Sequence, residues 1–157
     1  MRIEMTSDVD GRIRKLLRAA GYRETGGMLF AEQLAPDRFC IIDISVDAVT
    51  GSSTRFVRNL ELHRRALDDF FRRTGCEYRR FNYLGEWHSH PSYPVRPSDT
   101  DIRTMTEIVE SRSSVISFAV LLIARLRWRF WVEHSLTIFA RNQPPLESRI
   151  RSHIVRI

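Results

Sequence analysis

The stretch Trp87-His88-Ser89-His90-Pro91, followed after seven residues by Ser98-Asp99-Thr100-Asp101, decides how this chain is read. Residues i and i+2 of a strand share a face, so a strand ending here presents His88 and His90 side by side, as one divalent ion requires. Pro91, Pro94 and Pro97 exclude a continuous helix or central strand after His90, leaving a stiff connector into a helix that starts at Ser98. Asp101, in the first turn of that helix, would be a third ligand and would leave the fourth tetrahedral position open to water. That is the pattern of a catalytic zinc, since structural sites are closed. Two imidazoles and one carboxylate suit zinc, although iron and manganese accept the same donors.

Each half of the pattern has a plainer reading. Ser98-x-x-Asp101 is also a capping box, with the serine accepting a backbone N–H and the acid favoured by the helix dipole. A His-x-His pair taken alone is more often surface or core histidine than ligand. The conjunction at this spacing is rare in a chain of this composition and favours the metal, and capping and catalysis are compatible. Coordinating residues cannot also carry the proton. The candidate for that task is Glu24, ahead of Thr25-Gly26-Gly27-Met28-Leu29, where paired glycines let another backbone or a substrate come close. By spacing alone this is a weak signal, because many glutamates precede strands. Trp87, one residue from His88, should point to the opposite face and pack in the core.

Outward from this stretch, Val9, Ile13, Leu16, Leu17 and Ala20 form one helical stripe, predicting a helix from about Asp8 to Ala20 capped by Gly21. Thr25 to Leu34 and Arg38 to Val49 read as a hairpin around Ala35-Pro36-Asp37. Gly51-Ser52-Ser53 opens a loop, with a short extended piece at Thr54 to Val57. A second helix, Glu61 to Thr74, is closed by Gly75 and anchored by Leu67, Phe70 and Phe71. Phe81 to His90 is extended. A third helix, Ser98 to Arg112, carries Ile102, Met105 and Val109 inward, and two long strands come after it, Val115 to Leu126 and Arg127 to Ala140. Interleaved helices with hairpins at both ends predict an α/β chain of the α+β type, a mixed sheet flanked by helices. One domain over 1–157 is expected, its core spanning about residues 8–140. The segment from Asn142 onward is open between a last strand, a dimer contact and a mobile tail.

The 157 residues suffice for a core without staples, and no apolar run is long enough to span a bilayer. The N-terminus has no secretory h-region, so a cytoplasmic location with no membrane partner is the expectation. Cys40 and Cys76 lack the spacing of a knuckle or redox pair and read as reduced bystanders. The net charge of +6 is carried by arginine, with Lys15 the one lysine. This fits a coding bias, or avoidance of acceptor amines beside a lysine-modifying system. Basic pairs at Arg64-Arg65, Arg72-Arg73 and Arg79-Arg80 could attract an acidic partner, but solvated faces are commoner and nucleic acid is given little weight. The pattern of the zinc deaminases is absent. His63, His134 and His153 have no partner at ligand spacing and read as surface or core.

The sequence resembles the JAB/MPN/Mov34 (JAMM) metalloprotease family, whose metal-binding members carry an early-strand glutamate, then His-Ser/Thr-His, seven residues, Ser, two residues and Asp. Glu24, His88, His90, Ser98 and Asp101 match every position, and the element order is similar over about residues 8–140. The resemblance implies a curved mixed sheet between helices, a zinc held by His88, His90 and Asp101, Glu24 as proton carrier and Ser98 as donor to the oxyanion. It implies hydrolysis of an amide or isopeptide bond, often after the C-terminal tail of ubiquitin or a ubiquitin-like protein. Relatives bind such a tail beside an insertion matching Gly51 to Arg58, here short, which argues against polyubiquitin-chain specificity. The compact domain looks like the bacterial JAB peptidases encoded beside E1-like and E2-like proteins, including those of antiphage operons. Alternatives are a peptidase processing a sulfur-carrier or phage-tail protein, and a binding module whose zinc only stabilises a surface.

Overall fold

The computed structural model describes residues 1–47, 60–111, 116–128 and 130–153. Strand β1 (Arg2–Thr6) opens the chain. The sequence reading began the core at about residue 8, but Ile3 and Met5 are buried in the main cluster. Its five residues offer only these two apolar positions, and Glu4 between them is buried and accepts two hydrogen bonds from Arg38 at 2.8 and 3.2 Å. Helix α1 (Ser7–Ala20) starts at Thr6, whose side chain accepts from the N–H of Val9, and stops at Gly21, where a φ of 61° suits a residue without Cβ. Its stripe of Val9, Ile13 and Leu17 is buried, each side chain contributing about 1.5–3 kcal/mol.

The hairpin expected next is β2 (Gly26–Ala35) and β3 (Arg38–Ile44). The expected extension of the second strand to Val49, the loop from Gly51 and the piece at Thr54 to Val57 fall wholly or partly outside the described residues. Helix α2 (Leu60–Arg73) comes next, with Phe70 buried against Met28 and Phe30 of β2, and Leu67 and Phe71 half-buried beside it. Strand β4 (Phe81–Ser89) leads into the proline loop and helix α3 (Asp99–Glu110). Met105 and Val109 of α3 are buried as expected, whereas Ile102 is exposed. Strands β5 (Phe118–Arg127) and β6 (Trp131–Ala140) form the second hairpin. The tail makes two further strands, β7 (Leu146–Ser148) and β8 (Ile150–His153).

The eight strands form one sheet in the order β7-β6-β5-β4-β2-β3-β1-β8. Only Arg149 separates β7 from β8, yet these pair with opposite ends of the sheet, β6 and β1, so the sheet curls until its edges almost meet. One face holds α1 among Trp87, Val120, Leu122 and Ala124. The other carries α3 against Ala119, Leu121 and Ile123 and α2 against Phe30. Strand β4 is bulged: Leu29 pairs with Gly85 but Phe30 with Tyr83, leaving Leu84 over. The extra residue switches the faces, so Tyr83 packs under α2 while Leu84 turns to the α1 side. At Gly85 a Cβ would lie 1.9 Å from the carbonyl oxygen of Val120, so the close approach of β4 to β5 there admits only glycine. No helix is long and apolar enough to cross a membrane among the described residues.

Candidate metal centre

His88 pairs with Ile123, a residue packed under α3, and Trp87 pairs with Leu122, a residue packed around α1. Strand alternation thus sends both histidines to the α3 face and Trp87 to the other, as the sequence implied. Trp87 is fully buried, and its indole N–H donates to the carbonyl of Ser45 at 2.9 Å. To reach Ser45 on the far side of β2 it crosses Gly27, its pairing partner, which has no side chain to block it. Gly26 serves the opposite face, where a Cβ would lie 2.8 Å from the Cβ of His88. The glycine pair therefore lets neighbouring strands close up around the histidine strand.

The Nε2 atoms of His88 and His90 lie 3.0 Å apart, and Oδ2 of Asp101 lies 3.7 Å from Nε2 of His88. Donor atoms from all three residues fall within 4.8 Å of one another. A tetrahedral zinc with bonds near 2.0–2.1 Å needs donors roughly 3.3 Å apart, so the set fits that ion. The orientation is also right. Nδ1 of His90 is 2.7 Å from the carbonyl oxygen of Pro94, which can only accept, so Nδ1 carries the proton and Nε2 offers a lone pair. Both histidines are buried, and the ring of half-exposed Tyr93 stands edge-on to His90 with centroids 6.3 Å apart.

Asp101 is positioned by the capping box that the sequence allowed. Its Oδ2 accepts from the Ser98 N–H at 2.8 Å and the Ser98 hydroxyl at 2.7 Å, while the Asp101 N–H donates to that hydroxyl at 3.2 Å. Ser98 is exposed, and its hydroxyl proton is directed at the Asp101 carboxylate. Glu24 is buried. Gly26 pairs with His88, the Ser89 N–H donates to the Thr25 carbonyl at 2.8 Å, and the Thr25 N–H donates to Oγ of Ser89 at 3.0 Å. This clasp continues the pairing of β2 with β4 by one step past Gly26, and Glu24 follows next, just outside the strand.

Two further buried carboxylates, not expected from the sequence, lie on β4 and three residues after β3. Glu86 lies two residues before His88 on β4, a relation visible in strand alternation alone. Asp47 lies opposite Gly26, its N–H donating to the Gly26 carbonyl at 2.7 Å, which no local pattern reveals. His63 and His134 stay out of the cluster. His134 sits 3.4 Å from Asp10, and burial lowers its pKa from the usual value. Cys40 is buried and its thiol is pushed up to about 11, chiefly by burial, while Cys76 is exposed; neither is in a disulfide. Arg64 and Arg65 pair with Glu61, and Arg72 and Arg73 with Asp69, so acids on α2 answer two of the basic pairs.

A curved mixed sheet flanked by helices, with a His-His-Asp cluster at one strand end, is the JAB/MPN class of α+β fold. The chain belongs to the prokaryotic homologues of the JAB domain, whose profile matches residues 6–134. A protein from Desulfitobacterium hafniense, solved in solution, is similar over 96% of this chain and 92% of its own, with 20% identity and a TM-score of 0.72. One from Salinibacter ruber covers 96% and 99% of the two chains at 21% identity and a TM-score of 0.54. A JAB1/MPN domain protein from Archaeoglobus fulgidus covers 96% and 98% at 14% identity and a TM-score of 0.48. No curated protein matches the sequence.

Proposed function

We propose that this protein is a zinc-dependent peptidase or isopeptidase that cleaves the bond following the C-terminal tail of a ubiquitin-like protein or similar modifier, in a bacterial conjugation or antiphage pathway with E1-like and E2-like partners. The observation that carries the chemistry is the convergence of Nε2 of His88, Nε2 of His90 and Oδ2 of Asp101, with buried Glu24 two residues before the Gly26 that pairs with His88. His88, His90 and Asp101 would hold the ion. Zinc bound there would supply Lewis acidity, lowering the pKa of a water toward ~7 and polarising a carbonyl. Glu24 takes the proton of the attacking water and returns it to the departing amine. The Ser98 hydroxyl turns from Asp101 toward the substrate carbonyl as negative charge grows on its oxygen, and losing one such donor commonly costs ~3 kcal/mol in the barrier.

The test pairs metal content with turnover. Wild type, purified without added metal, should carry about one zinc, and His88→Ala and Asp101→Ala should lose it. Glu24→Gln should keep the zinc and lose cleavage of a ubiquitin-like precursor carrying a fluorogenic amine at its C-terminus. A fully active Glu24→Gln protein would sink the mechanism. A second reading, a binding module whose zinc stabilises a surface, is favoured by the Ser98 hydroxyl being turned to Asp101; such a module tolerates Glu24→Gln in vivo. Neighbouring genes distinguish deconjugation from processing of a sulfur-carrier or phage-tail protein.

A further inference from the structure

Strand β4 leaves the sheet beside the metal centre while its neighbour runs on. The backbone bond from the His90 N–H to the Ala124 carbonyl, 3.0 Å, lies at the end of that ladder, and β5 continues to Arg127. The N–H and C=O of one strand residue point to one side and those of the next residue to the other. Ala124 points to β4, so Arg125 and Arg127 point to β6, in keeping with the Phe130 N–H donating to the Arg127 carbonyl at 3.2 Å. Leu126 therefore directs both peptide groups into the space that β4 vacates at Pro91, and among the described residues no backbone group meets them. This is a short open edge, the template on which an extended chain adds.

Beside it runs a groove of about 890 Å³ between the end of α1 and the β5–β6 turn, bordered by Tyr22, Ser89, Pro91, Leu126, Trp128 and Phe130. Tyr22, Trp128 and Phe130 are 83%, 89% and 76% exposed, a concentration of large aromatic surface that marks a contact site. Arg18 and Arg125 line the same groove, and Arg125 and Arg127 share one carboxylate, Glu133. Ser89 and Pro91, the residues either side of His90, border the groove on the α1 side of the strand end.

We propose that this edge and groove take an extended, acidic segment of the polypeptide substrate. Leu126 adds it to the sheet, Tyr22, Trp128 and Phe130 grip its apolar residues, and the positive field of three arginines around the single carboxylate of Glu133 draws its acidic residues. The assignment rests on the peptidase reading, and its test does not require turnover.

The probe is a capped octapeptide alternating glutamate and valine, titrated into the isotope-labelled full chain and followed by NMR, with the lysine–valine octapeptide as charge control. The expected result is saturable shifts of the Leu126 amide and the Trp128 and Phe130 rings, with the lysine peptide weaker by roughly tenfold or more. Leu126→Pro removes the outward N–H without removing a bond to β6 and should abolish the response. Trp128→Ala and Phe130→Ala should weaken it if the proline variant fails to fold. No saturable shift at Leu126, or an unchanged response in Trp128→Ala and Phe130→Ala, overturns the proposal. Saturation at Leu126 in a protein without hydrolase activity supports the subsite and removes only the hydrolase reading; activity without the shift does the reverse.

Discussion

Gly26→Ala tests whether the close approach of β2 to β4 sets the geometry of the metal centre. The added Cβ would lie 2.4 Å from the Trp87 carbonyl oxygen and 2.8 Å from the Cβ of His88. An ordinary carbon–oxygen contact is about 3.3 Å, so the strands must part by ~0.5–1 Å, and both obstacles sit on the histidine strand. Metal sites tolerate displacements of about 0.2 Å. We expect overpacking to cost about 1–3 kcal/mol of stability and the displaced ligand to cost roughly 10–100-fold in zinc affinity. Affinity is measured by competition with a chromophoric chelator and stability by melting the metal-free protein. Gly11→Ala in α1 is the control, because nothing lies within 4 Å of its Cβ and a mid-helix alanine should add about 0.5–1 kcal/mol. Wild-type zinc affinity in Gly26→Ala would refute the reasoning, since it would mean that β4 need not hold its distance from β2 to present His88.

Two further outcomes rest on the site and the core. Ser98→Ala removes a helix cap and a hydrogen bond to the ligand carboxylate; urea denaturation should show a loss of about 1 kcal/mol, and chelator competition roughly tenfold weaker metal binding. The folded-state pKa of His134 is held down, first by burial and then by Arg14, with Asp10 opposing. The unfolded chain therefore takes up that proton near pH 6.5 before the folded chain does, and stability should fall as pH drops below about 6.5, levelling below the folded-state pKa. His134→Gln should flatten this part of the urea midpoint against pH, and an equally steep fall in the variant would show that another group carries it.

Local chemistry made much of this molecule legible in sequence. The stripe of Val9, Ile13 and Leu17, the cap at Gly21 and the breaks at the prolines each act within a few residues, so α1, the hairpin strands and the loop after His90 could be read directly. The two-residue period of a strand put His88 and His90 on one face and Trp87 on the other, and three-residue reciprocity gave the capping box that holds Asp101. The resemblance to JAB/MPN proteins added Glu24, which local spacing supported weakly. Strand β1 is hard to read because its five residues offer only Ile3 and Met5 as apolar positions, and its neighbours β3 and β8 come from distant parts of the chain.

Tertiary pairing decided the rest. Only the register of β2 against β4 brings Thr25, the neighbour of Glu24, to Ser89, and only the backbone bond at Gly26 brings Asp47 to the same strand. Nothing local shows that Pro94 would fix the His90 tautomer, or that the residues flanking Arg149 would bind opposite sheet edges and curl the sheet nearly closed. The sequence by itself determined which side chains could form the centre and which way their strand presents them, because alternation and capping are short-range. Their distances, their burial and the open edge at Leu126 depend on which strands lie side by side and where each one ends, and hydrogen bonds between distant segments set those.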